Sequence, residues 1–348
     1  MPNTINILIP FRFLFTLSVL FCSCQQETPL PPNNAKPENV LYCELIAGEQ
    51  SLVRVGRSKP VTTGTNNEFE PVRNAVVTLM NGNEQTIETL TYDASADGLM
   101  GTYRGTTLLQ AGQQYKLQAA VPDMKTTYAR TYIPTAFDAA LTDTIRTVLN
   151  GRAALKFHFK IRANAPGGKQ FIVLEALKQA CYADSTALYN GNKFSKRDDP
   201  ENYNRVKTLS GVLLRKDTIC LDDYLRIPCY TQDMNADNNQ IGGLNENFNR
   251  ILFTQNSPVL STDLYLNAAA INAVPDDELI PKGRIIVYVR STSKAYYDFL
   301  LTYEKVVRNP GLNSLFQAIQ LKGNTLNGLG IVGGLYQHTY YLYYDDLN

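Results

Sequence analysis

The chain has 348 residues, enough for two ordinary domains, and carries 33 Lys+Arg against 32 Asp+Glu for a formal net charge of +1. So even a balance argues against a nucleic-acid binder or a protein held on anionic lipid by charge alone. With 21 Tyr, 14 Phe and no Trp, and with abundant Thr and Val, the composition favours strands over helices, so a mainly β body is expected.

The first element is the apolar run FRFLFTLSVLFCSC, ending at Cys24, in which Arg12 is the one charged residue. It is too short to cross a bilayer with its flanks and has the length of a cleaved signal peptide. Ser23 before Cys24 fits the rule of bacterial lipoprotein signals, where a small residue precedes the cysteine that takes the lipid. Cys22 follows bulky Phe21 and fits less well. Residues 1–23 are therefore expected to be a signal peptide and Cys24 the lipidation site, with an ordinary secretory signal or a single membrane helix as the alternative. The prolines of residues 24–37 favour an extended, polyproline-like tether. Four cysteines then remain to pair in an oxidising compartment, Cys43, Cys181, Cys220 and Cys229, with three connectivities open. The close spacing of Cys220 and Cys229 around LDDYLRIP makes them the disulfide candidates.

Regular β pattern begins at Val40. A first strand VLYCELIAGE and a second, SLVRVGRSKPV, lead to PVRNAVVTL, whose turn Asn81-Gly82-Asn83 before Thr86 to Tyr92 is a hairpin signal. Gly101-Thr102-Tyr103 and then Gly112 to Leu117, a G-x-x-Y-x-L run, complete a series of short strands and turns. That spacing indicates an immunoglobulin-like sandwich over residues 38–135. The same motifs resemble the prealbumin-like regulatory domains of carboxypeptidases and bacterial outer-membrane receptors, a resemblance that implies no active site in this half.

A second β-rich domain is expected over residues 136–348. From Ala153 to Ala163, Leu155, Phe157, Phe159 and Ile161 share one face, while Lys156, His158, Lys160 and Arg162 take the other. QFIVLEALKQ reads as a strand, and the polar segment Cys181 to Asn204 as a long loop and a place for a partner. Gly283 to Arg290 is the strongest strand. Ser291-Thr292-Ser293 then caps a helix whose apolar stripe is Tyr296, Phe299, Leu300, Tyr303 and Val307. Together with the tail Asn327, Gly328, Leu329, Gly330, Gly333 and Gly334, this order of strand, helix and Gly-rich closing strand resembles an uncharacterised Bacteroidetes lipoprotein family, domain of unknown function 4249. The resemblance implies an outer-membrane lipoprotein, and it suggests a TonB-dependent transporter as the class of partner. It carries over no catalytic residues.

Site motifs are sparse. Gly328-x-Gly330-x-x-Gly333 matches a dinucleotide fingerprint in letters, but strand rather than helix is expected after it. Asp233, Asn235 and Asp237 open like a calcium loop that then has Asn238 where Gly is wanted and Leu244 where Glu is wanted. His158 and His338 lack the company that nucleophilic or metal chemistry needs. The carboxylate pairs Asp198-Asp199, Asp222-Asp223 and Asp276-Asp277 are sequence neighbours in expected loops. Tyr336, Tyr340, Tyr341, Tyr343 and Tyr344 form either half-buried packing or a stacking platform. The expectation is a protein with no catalytic residue, cofactor, metal or nucleic-acid partner, anchored to the outer membrane as an accessory or docking partner of an envelope complex. The alternative is a surface module that binds oligosaccharide or peptide.

Overall fold

In the computed structural model the described residues are 36–59, 69–96, 98–163, 168–241, 247–268, 282–308 and 321–343. Eight strands come first: β1 Asn39–Ile46, β2 Gln50–Arg57, β3 Glu70–Pro71, β4 Val76–Asn81, β5 Thr86–Tyr92, β6 Gly101–Leu108, β7 Gln114–Ala120 and β8 Thr127–Tyr132. Their alternation sends Leu41, Val53, Val77, Leu79 and Leu117 into one core. The expected hairpin joins β4 to β5, with Asn81 Oδ1 accepting from the Asn83 and Gln85 amides at 3.0 Å each. Both tyrosine motifs have a mechanical reason. Tyr103 Oη donates to the Val72 carbonyl at 3.0 Å and accepts from the Ala75 amide at 2.9 Å. Tyr115 Oη accepts from the Gln110 amide at 2.9 Å, which pins the turn before β7 as a tyrosine corner does.

The remaining strands are β9 Phe137–Leu149, β10 Arg152–Ala163, β11 Gln170–Tyr189, β12 Asn192–Ser195, β13 Leu213–Ile227, β14 Cys229–Tyr230, β15 Ile251–Gln255, β16 Val259–Asn267, β17 Lys282–Thr292, β18 Thr325–Leu326 and β19 Leu329–Tyr343; the helices are α1 Pro200–Val206 and α2 Lys294–Arg308. Fifteen strands make one curled sheet in the order β12-β11-β17-β19-β1-β2-β6-β5-β4-β7-β8-β18, with β13 and β15 on β11 and β3 on β2. The other four, β14-β16-β10-β9, form a second sheet. The fold is mainly β and sandwich-like. Phe157 and Phe159 of β10 and Leu264 of β16 meet Ile172 and Leu174 of β11 and Val287 of β17 in the core between the sheets.

β19 organises the whole. It runs parallel to β1 from Leu329 to Leu335 and antiparallel to β17 from Leu335 to Tyr343. Val332 enters the first core, Tyr336 and Tyr340 pack against the second, and Ile331 with Leu335 lies under α2. The glycines of GLGIVGG are there for close approach. Gly330 has φ +118° and a Cβ on it would overlap the Leu41 carbonyl, while one on Gly333 would lie 2.5 Å from the Tyr296 ring.

Three local expectations are corrected. Residues 181–189 are not loop: they extend β11, and β12 with α1 follows, closing a small core of Ala187, Tyr203 and Val206. LDDYLRIP, the segment between the disulfide candidates Cys220 and Cys229, is not closed on itself: Leu221 to Ile227 run on as the end of β13. In α2 the buried face is Tyr296, Tyr297, Leu300, Thr302 and Glu304, whereas Tyr303 and Val307 are exposed. Ser293 Oγ accepts from the Gly334 amide at 3.3 Å, so that side chain ties the helix start to β19.

Candidate functional site

The side of the β11–β17–β19 sheet away from the second sheet is covered at one end by α2, and beyond the helix Tyr224, Tyr341 and Tyr343 stand exposed on it. Next to the helix, register brings Glu175 of β11 opposite Tyr288 of β17 and places Arg290 opposite Gln337 of β19. Glu175 is 2% exposed and ion-paired with Arg290. It also meets Arg250 Nε at 3.0 Å and Arg226 Nη1 at 3.3 Å. Burial alone would raise the Glu175 pKa, but Arg290, Arg250 and Arg226 outweigh it and hold the carboxyl below its usual range. Tyr296 Oη donates to Glu44, as does Tyr42 Oη at 3.1 Å. Burial, reinforced by Glu44, pushes the Tyr42 hydroxyl up to about 12. With Glu44 4.0 Å from Arg290 and Glu304 of α2 3.5 Å from Arg250, three glutamates and three arginines tie β1, β11, β13, β17 and α2 together. Removing one member would strand its partners in a dry site.

Beyond this cluster, the same face carries two rows across β13, β11, β17 and β19: Tyr224, Gln179, Arg284 and Tyr343, then Arg226, Leu177, Ile286 and Tyr341. Arg284 lies 4.5 Å from the Tyr341 ring centroid, and its Nε donates to Gln179 Oε1 at 2.7 Å. Tyr341 is 54% exposed and Tyr224 46%, while Ile286 beneath them is buried. Tyrosine and arginine over an apolar floor, presented on rigid strands, make a surface suited to stacking and to hydrogen bonding at once.

At the far end of α2 lies a half-open cleft of about 640 Å³, between the β9–β10 turn, β14, residues 247–249 and Asn267. Phe248, Pro228, Leu149 and Val307 give it apolar walls. Asn150, Asn247, Asn249, Asn267, Arg152 and Arg308 also line it, as does Glu304. Burial raises the Glu304 pKa; the Asn249 amide, at 3.2 Å from Oε2, and Arg250 pull the other way without cancelling it. Glu304 Oε1 faces Arg250 Nη1 at 3.5 Å, yet neither atom has a hydrogen-bond partner.

The sequence-derived residues disperse. Cys24, Tyr344 and the Asp276-Asp277 pair lie outside the described residues. The disulfide joins Cys181 to Cys220, not Cys220 to Cys229. The reason is register: Cys181 and Cys220 are directly opposed on β11 and β13, while Cys229 is a buried free thiol on β14. Burial pushes that thiol up to about 12. Asp222 and Asp223 fall within β13, and Asp199 caps α1 through the Asn202 amide at 3.3 Å. Asp233 Oδ1 accepts from the Asn235 amide at 2.9 Å, whereas Asp237 turns away to Thr254 at 2.7 Å and Tyr297 at 2.5 Å. The G-x-G-x-x-G letters open β19, with no helix after them. Of the tyrosines, Tyr336 and Tyr340 pack on the inter-sheet core and Tyr341 and Tyr343 face outward.

His338 Nε2 lies 2.7 Å from the Phe137 carbonyl, a structural bond. His158 keeps company that sequence could not reveal: Nδ1 lies 2.6 Å from Asp263 Oδ1 and Nε2 lies 2.9 Å from Ser261 Oγ. The three sit on the outer face of β10 and β16, where His158 and Asp263 are register partners. The cleft residues and the Glu175 cluster were also missed. They come from distant segments, and the one available signal was charged residues such as Glu175 and Arg290 inside apolar strand runs.

These features define a β-sandwich-like protein with one helix-buttressed sheet face and a polar cleft. A family model described as a domain of unknown function, DUF4249, matches residues 27–340, and the chain belongs to that family. No curated protein matches it.

Proposed function

We propose that the chain is a lipid-anchored outer-membrane lipoprotein of the Bacteroidetes type, held by Cys24, that acts without catalysis as an accessory or docking partner of an envelope complex. The partner class we favour is a TonB-dependent transporter. The observation that supports this reading best is the Tyr/Arg face with its exposed Tyr224, Tyr341 and Tyr343, since such residues over a buried apolar floor dominate the energetics of protein interfaces. A regulatory-domain-like N-terminal half accords with it. Capture of the intact lipoprotein from detergent-solubilised outer membranes should bring down a stoichiometric β-barrel receptor, and Cys24→Ala should abolish both a lipid mass shift and that recovery. An unlipidated mature chain, or capture with no envelope partner, would sink the reading.

A second reading, a surface module that binds oligosaccharide or peptide, is favoured by the cleft at the end of α2, whose volume falls in the range of roughly 300–1,000 Å³ usual for ligand sites. Binding by the body of the protein, independent of any membrane partner, is what it requires.

A further inference from the structure

His158, Asp263 and Ser261 form a constellation that neither proposed role uses. A carboxylate can only accept, so His158 Nδ1, 2.6 Å from Asp263 Oδ1, carries the hydrogen. In the neutral ring Nε2 is then an acceptor, and Ser261 Oγ donates to it at 2.9 Å. Nucleophile, base and orienting carboxylate thus stand in the order that activates a serine, with each ring nitrogen in the role the chemistry needs.

Strand register fixes the arrangement. His158 of β10 lies directly opposite Asp263 of β16, and Ser261 lies one same-face position along, opposite Lys160. On the other side of β10, Asp143 of β9 is the register partner of His158. Tyr265 Oη at 3.4 Å and Lys156 Nζ at 3.8 Å stand beside the second oxygen of Asp263 and hold the carboxylate in place. Ser261 and Lys160 are exposed, while His158 and Asp263 are half-buried. The serine is therefore open to a reagent, and its base is not free to swing away. β10 is paired with β9 on one edge and with β16 on the other, so its amides are engaged in the ladders. The Lys160 ammonium is the cation that register brings to Ser261, where an oxyanion would develop.

We propose that Ser261 is an acyl-acceptor site that takes the acyl group of an activated carboxylic ester, with His158 as its base and Asp263 as the positioning residue. Ser261 Oγ attacks the carbonyl carbon while His158 Nε2 takes its proton. The C–O bond to the leaving alcohol then breaks, His158 returns the proton to that alcohol, and Ser261 is left as an ester. A phenol leaves far more readily than a serine alkoxide, so acylation outruns hydrolysis of the product and the modification is stoichiometric. It depends on neither reading above. The intact chain in detergent should be treated with p-nitrophenyl acetate. About one nitrophenolate per chain should appear as a burst, with an acetyl group on the peptide that contains Ser261. Ser261→Ala, at an exposed position, should remove the burst without moving the urea midpoint. His158→Ala should slow it about a hundredfold, and added imidazole should restore part of the rate. Asp263→Asn should slow it at neutral pH, because the ring hydrogen moves to Nε2, and should recover in alkali, where hydroxide takes the serine proton. A purely structural role for Asp263 would give no such recovery. Acetyl on Lys160 in place of Ser261, a burst that survives Ser261→Ala, or no burst at all would each overturn the proposal.

Discussion

Glu175 is the residue whose loss should be felt most. Glu175→Gln leaves Arg226, Arg250 and Arg290 around a neutral group, and breaking a buried pair in this way costs about 3–5 kcal/mol; the urea midpoint reports it. The pH dependence has a definite sign. The folded-state pKa of Glu175 is depressed, so its contribution is present above the unfolded value of about 4.3 and is lost as pH falls through the folded one. Below about pH 4 the wild-type midpoint should fall more steeply than that of Glu175→Gln, which has no such proton to take up. Cys220→Ala opens a bond spanning 39 residues, worth about 4 kcal/mol on the loop-entropy account. Peptide mapping without reductant should find Cys181 joined to Cys220, and the Cys229 thiol should resist alkylation until the protein unfolds. None of these partners was legible beforehand. Spacing along the chain pointed to Cys229, but strand register, a property of the folded sheet, decides which sulfurs meet.

At the level of elements, β19 depends on backbone contact where a side chain has no room. Gly330→Ala drives a Cβ onto the Leu41 carbonyl at φ +118°, and should cost about 3 kcal/mol or more. Gly151→Ala, at φ +74° with open space around it, should cost only about 1–2 kcal/mol. Equal losses at the two positions would contradict the close-packing account of the Gly-rich tail. The alternation of β10 and the Asn-Gly hairpin were plain in the sequence because one face of each is buried and the turn chemistry is local. β11 beyond Cys181 was not, because its Asp184, Ser185 and Thr186 look like loop residues. Asp184 is in fact buried and accepts from the Arg197 amide at 3.3 Å. The α2 stripe was placed one step off, since its inner face holds Glu304 for Arg250 rather than Val307.

Across the whole molecule, local pattern placed a boundary near Thr135, where Pro134 ends a strand. The β1/β19 and β8/β18 ladders join residues from either side of that position, and residues 38–58 and 69–348 form one compact unit. Pairings of such long sequence separation leave no local trace. Urea unfolding followed by tyrosine fluorescence and by circular dichroism should therefore give one coincident transition, and two separated transitions would show that the ladders do not couple the halves. The proposed docking role belongs to this scale too, because the Tyr/Arg face is assembled from four strands. The most direct test is photo-cross-linking in living cells from a probe at position 341, on that face, against one at Val148, which is exposed on β9 of the other sheet. The account predicts an adduct with a TonB-dependent outer-membrane receptor from position 341 and none from position 148; no adduct from 341, or equal adducts from both, would contradict it.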